Sequence, residues 1–112
     1  MSSPANFEVI RPTGILDATQ ASQLRREIAH CLEKETEIVL VNLEQVAFID
    51  SSGLGALVSA LKMVKNSGGA LFICSINDQV RMLFDLTSMD RVFKIYENEE
   101  SFKQDALDRP FA

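Results

Sequence analysis

The run Glu37-Ile38-Val39-Leu40-Val41-Asn42-Leu43 limits the folds open to this chain more than any other stretch. It is rich in β-branched residues and almost continuously apolar, whereas a strand with one wet face would alternate. It therefore reads as a strand covered on both faces, and such a strand belongs at the centre of a sheet with a layer on each side. With 112 residues there is room for one core of that kind and not for two, so residues 1–112 are expected to form a single domain with a core at about 7–107 and loose termini.

The segments around this strand alternate. Phe7 to Pro12 reads as a short edge strand, because Pro12 has no N–H for a ladder. Thr13-Gly14 marks a turn, Ile15-Leu16 a brief second strand, and Asp17 followed by Gln20 the spacing of a helix cap. The helix after it places Ala21, Leu24, Ile28, Cys31 and Leu32 on one face. Val46 to Ile49 is a short apolar piece ending at Asp50, after which Leu54, Leu57, Val58, Leu61 and Val64 recur at helical spacing until Asn66-Ser67-Gly68-Gly69. Ala70 to Cys74 is a second buried strand. Asn77 or Asp78 caps a third helix that buries Val80, Leu83 and Phe84, and Met82, Met89 and Phe84 read as ordinary core. Val92 to Tyr96 supplies a last strand, and Glu99 to Leu107 a final helix with Phe102 and Ala106 on one face. This order predicts an α/β layer with helices covering a mixed sheet.

Several function classes drop out. The formal net charge of -5, with no basic patch beyond Arg25-Arg26 and the pair Lys62 and Lys65, makes nucleic acid or an anionic membrane a poor partner. Cys31 and Cys74 lie in apolar patterns without CxxC spacing, so they read as buried free thiols. The single histidine, His30, reads as a surface helix residue and leaves no imidazole set for a metal. No apolar run approaches the roughly 20 residues that span a bilayer, and Met1-Ser2-Ser3-Pro4 lacks the features of a secretion signal, which places the protein in the cytoplasm. Ser59-Ala60-Leu61-Lys62 satisfies SxxK, but lies mid-helix without partner motifs and is read as chance. Glu99-Glu100, Asp105 and Asp108 read as solvated charges without the burial that makes a general acid.

What remains is Asp50-Ser51-Ser52-Gly53-Leu54-Gly55, small polar residues and glycines where an apolar strand gives way to a helix. Three readings coexist. Asp50 or Ser51 caps the helix, with Gly53 and Gly55 allowing close packing on the sheet. The helix N-terminus attracts an anion, although the loop has no lysine to hold a nucleotide. Finally, a hydroxyl here accepts a phosphoryl group, which brings about -1.5 to -2 charges to one point on the surface.

Together with Gly14-Ile15-Leu16-Asp17, Val41-Asn42-Leu43-Glu44, Lys65 to Gly69, Leu71 to Cys74 and Val80 to Tyr96, the segment Phe48 to Gly55 resembles the STAS-domain anti-anti-sigma factors, bacterial antagonists of anti-sigma factors. The resemblance runs from about Phe7 to Tyr96. It implies a single STAS-like α/β domain, with a four- to five-stranded mixed sheet flanked by about four helices. It also implies a non-catalytic, partner-switching role. The unphosphorylated form binds an anti-sigma factor that is also a serine kinase, and so releases a sigma factor. Serine phosphorylation switches binding off, and a PP2C-type phosphatase restores it.

Carried over by position, Ser51 is the phosphate acceptor and Ser52 the runner-up. The partner-binding set is Asp17, Asp50, Ser51, Ser52, Gly53, Leu54 and Gly55. Asp50 orients the turn, Gly53 and Gly55 keep it accessible, and Asp17 matches an acidic residue that helps contact the kinase, or is only a helix cap. No cofactor or metal is implied, nor direct contact with nucleic acid or membrane, and the free protein is expected to be a monomer. The alternative is a STAS scaffold subunit of a signalling or transport complex that is never phosphorylated; a weak nucleotide-binding module is a third.

Overall fold

The computed structural model describes residues 7–107; the expected loose tail from Asp108 to Ala112 and the segment Met1 to Asn6 lie outside them. Six strands and four helices follow in the order β1 (Phe7–Ile10), β2 (Gly14–Leu16), α1 (Ala18–Glu33), β3 (Ile38–Asn42), β4 (Val46–Ile49), α2 (Ser51–Asn66), β5 (Ala70–Cys74), α3 (Asp78–Leu86), β6 (Ile95–Tyr96) and α4 (Glu99–Phe102). A π-helical turn, Lys103–Leu107, continues α4.

The Ile38 run is fully buried, between β1 and β5 in a sheet of order β1-β3-β5-β6. Its alternation decides which layer each side chain enters. Val39 and Val41 join Leu24, Ile28, Leu57, Val64 and Phe84 in the larger core, under the first three helices. Ile38 and Leu40 face the other way, toward Phe102 and Ala106. There Phe102 stacks on Phe7 with ring centroids 5.4 Å apart, and lies 5.3 Å from Phe72 and 5.4 Å from Tyr96. A helix of four residues has almost no stability of its own, so this aromatic cluster holds α4 in place.

The strands divide where the sequence suggested one sheet. β2 and β4 form a separate two-stranded sheet, and every recorded pairing in both sheets is parallel. The reason lies in the two short crossovers. β1 leads to β2 through residues 11–13 and β3 to β4 through residues 43–45, so a strand pair leaves the main sheet together. It is joined again by the Gly14 amide, which donates to the Gln45 carbonyl at 2.9 Å.

Two further expectations are corrected, and one open alternative is decided. Val92 and Phe93 are not strand residues, because both their amides turn back to the Met89 carbonyl at 3.0 Å, and Phe93 packs against Phe84. Met82 is exposed rather than core; on a helix of nine residues, Val80 and Phe84 take the buried face, and Met82 and Leu86 share the outer one. Asn77, not Asp78, caps α3, accepting from the Val80 amide at 2.8 Å. Cys31 and Cys74 are free and buried, and burial pushes both thiols above their ordinary pKa.

At the carboxyl ends of β1 and β3, Glu99 accepts a hydrogen bond from Asn42, and its two carboxylate oxygens lie 3.0 and 2.8 Å from the Arg11 guanidinium. The Asn42 bond first, and then the Arg11 charge, hold this carboxyl below the usual glutamate range. Because the folded pKa is depressed, the stabilisation is present above the ordinary glutamate value and is lost as pH falls through the lower folded value. Glu99→Gln is therefore expected to lose less stability than wild type on acidification across that window, as read from thermal melts. Equal acid slopes would contradict it.

Candidate functional site

The two segments singled out by sequence meet at one end of the small sheet. Leu16 pairs with Ile49, so the residues that follow them, Asp17 and Asp50, stand at the ends of adjacent parallel strands. The Asp50 amide donates to the Leu16 carbonyl at 3.3 Å, fastening the start of α2 to the end of β2. Each aspartate caps the helix behind it. Asp17 accepts from the Thr19 and Gln20 amides at 3.1 and 3.2 Å, and Asp50 from the Gly53 amide at 2.9 Å.

Gly53 explains the closeness of this junction. A Cβ built there would lie 2.0 Å from the Leu16 carbonyl oxygen, a backbone atom that cannot move aside without shifting β2. Gly55 behaves differently: it is exposed, and a Cβ there would meet nothing within 4 Å. Close packing on the sheet is thus the work of Gly53 alone, because the helical turn aims position 53 inward and position 55 outward.

Ser51 and Ser52 are the first two residues of α2, and both are exposed. Leu54 is half-buried against the core. The site thus presents two hydroxyls at a helix start, where the first N–H groups have no acceptor within the helix and the backbone dipole favours added negative charge. Among the described residues no group of three or more His, Cys, Asp or Glu could hold a metal ion.

The sequence reading missed the apolar part of this surface. Ile15 and Phe48 pair across the small sheet and are 53% and 49% exposed, beside buried Leu16 and Ile49. Local pattern did not give it away, since β4 does not alternate: Ala47 and Phe48 are both exposed between buried Val46 and Ile49. Asn77 was read only as a possible cap; its amide also donates to the Val46 and Ala47 carbonyls at 3.2 and 3.1 Å, tying α3 to β4.

The model of the STAS domain family matches residues 3–102. The chain belongs to that family. Two relatives of this STAS domain are named for partners. The anti-sigma F factor antagonist of Paenibacillus polymyxa is 28% identical over 92 residues, covering 81% of this chain and 79% of its own length. The anti-sigma-B factor antagonist of Staphylococcus aureus is 29% identical over 94 residues, covering 84% and 87%. The fold likeness extends to SpoIIAA, an anti-sigma factor antagonist. Its unphosphorylated form matches with a TM-score of 0.69 at 20% identity, covering 93% of each chain. The phosphorylated form of this Bacillus cell fate determinant gives 0.68 at 21%, covering 93% of this chain and 95% of that one. Among the described residues of this STAS domain, no helix is long and apolar enough to cross a membrane.

Proposed function

We propose that this STAS domain is a phosphorylatable antagonist of an anti-sigma factor, with Ser51 as its switch. The observation that carries the reading is an exposed Ser51 at the first position of α2, beside the paired caps Asp17 and Asp50. The names of the Paenibacillus and Staphylococcus relatives support the class of partner. Unmodified, the turn and the exposed pair Ile15 and Phe48 form the docking face for an anti-sigma factor that is also a serine kinase, and its capture releases a sigma factor. Transfer of the γ-phosphoryl group of ATP to the Ser51 oxygen leaves ADP and places a dianion on that face. A PP2C-type phosphatase removes it by hydrolysis. Ser52, also exposed, is the second candidate acceptor.

The fold is expected to survive the modification, because a phosphate at a helix start interacts favourably with the dipole. The partner bears the cost, since it must desolvate or oppose the new charge. Protein isolated from cells should therefore separate into two charge forms that merge on phosphatase treatment. A single form, unaltered by phosphatase under all growth conditions, would instead favour the unphosphorylated scaffold reading.

Ile15→Ser and Phe48→Ser test the apolar part of the face. Each is expected to weaken capture by about 10-fold, the effect of losing an exposed apolar anchor, while the melting temperature stays near wild type. Unchanged affinity in both variants would remove this pair from the interface.

A further inference from the structure

We propose that Glu99 is a positioning residue for the switch turn, although it lies at the start of α4 and contacts neither Asp17 nor Ser51. Its carboxylate grips both places where the chain passes from the main sheet to the small one. Arg11, which holds both oxygens, is the first residue after β1. Asn42, which donates to Oε2 at 2.5 Å, is the last residue of β3. The Asn42 side-chain oxygen in turn accepts from the Glu44 amide at 2.8 Å, fixing the crossover that leads to β4.

From this clamp the geometry runs in two short steps to the site. Beyond Arg11 the chain passes through Pro12 and Thr13 into β2, and beyond Asn42 through residues 43–45 into β4. The register shifts between Gly14 and Ile15, so the main sheet does not by itself impose the alignment of Leu16 with Ile49. A two-stranded sheet is marginal without outside support. Support comes from the Gly14 to Gln45 bond, from Asn77 on β4, and from the clamp on both crossovers. A charge-assisted contact in which one Arg11 nitrogen bonds both oxygens, joined on Oε2 by the Asn42 donor, is suited to that task, because the carboxylate is then held from the ends of β1 and β3 at once. The aromatic cluster around Phe102 anchors α4 separately, so the carboxylate can be removed without releasing the helix.

The consequence for phosphorylation rests on the Ser51 reading, whereas the clamp is tested without it. Amide hydrogen exchange on the full chain should show Gly14 and Asp50, which bond Gln45 and Leu16, exchanging at least about 10-fold faster in Glu99→Ala. Ala70, whose amide bonds the Glu37 carbonyl at the far end of the sheet, should stay at its wild-type rate. Glu99→Gln keeps an acceptor for Asn42 and should restore part of the protection. With the kinase, Glu99→Ala should raise KM for the protein substrate about 10-fold and leave kcat within about twofold, because fewer molecules present the turn correctly. Unchanged exchange at Gly14 and Asp50, equal loosening at Ala70, or a wild-type KM in a variant with loosened amides would each overturn the proposal. If no kinase phosphorylates wild type, the Ser51 reading fails alone, and the exchange rates still decide the clamp.

Discussion

Ser51→Asp is expected to lower affinity for the anti-sigma kinase by at least about 100-fold, close to 3 kcal/mol. The side chain stands exposed at the first position of α2, next to the cap Asp50 and at the strand ends that carry both caps. A carboxylate there must be desolvated or opposed by any partner that packs on the turn, at a cost larger than a typical contact supplies. The fold should tolerate the change, since a negative charge at a helix start is stabilising by a few tenths to about 1 kcal/mol. Ser51→Ala should keep wild-type affinity and accept no phosphate at that position. Titration calorimetry with the purified kinase separates the cases, and equal binding by wild type and Ser51→Asp counts against the switch.

Gly53→Ala is expected to have the largest effect on stability. Its new methyl group would sit 2.0 Å from the Leu16 oxygen, the same atom that accepts the Asp50 amide. Relief requires β2 to separate from α2, because neither neighbour is the end of a flexible side chain. A loss of roughly 3 kcal/mol follows, typical of severe overpacking, which for a domain of this size lowers the melting temperature by roughly 15 °C. Gly55→Ala, two residues away, has open space and gains helix propensity of up to about 1 kcal/mol. Thermal melts of the two variants should therefore move in opposite directions. A mild effect at Gly53 would mean that the strand–helix junction is looser than described.

The parts of the fold legible in the sequence were those written by local pattern. The buried Ile38 run, the edge position of β1, the stripes of α1 and α2 and the capping role of Asp17 all follow from burial period or cap chemistry. What escaped depended on distant pairing. Nothing local to Ile15 or Phe48 says that their strands leave the main sheet together, and only that departure brings the two caps side by side. Glu99 looked like a solvated charge because its partners, Arg11 and Asn42, are far away in the chain. Met82 and Val92 were misplaced for a related reason, since an apolar side chain on a short element does not reveal whether anything covers it. At the turn itself, the family resemblance puts Ser51 ahead of Ser52, whereas local pattern does not tell them apart and both residues are exposed.

Phosphopeptide mapping decides between those two oxygens and, with them, whether a hydroxyl at the head of α2 controls docking at all. Purified protein incubated with its kinase and ATP should carry a single phosphate on Ser51, and the modified form should no longer bind that kinase. A phosphate found only outside the turn, or a Ser51-phosphorylated form that binds as tightly as the unmodified one, would contradict the switch.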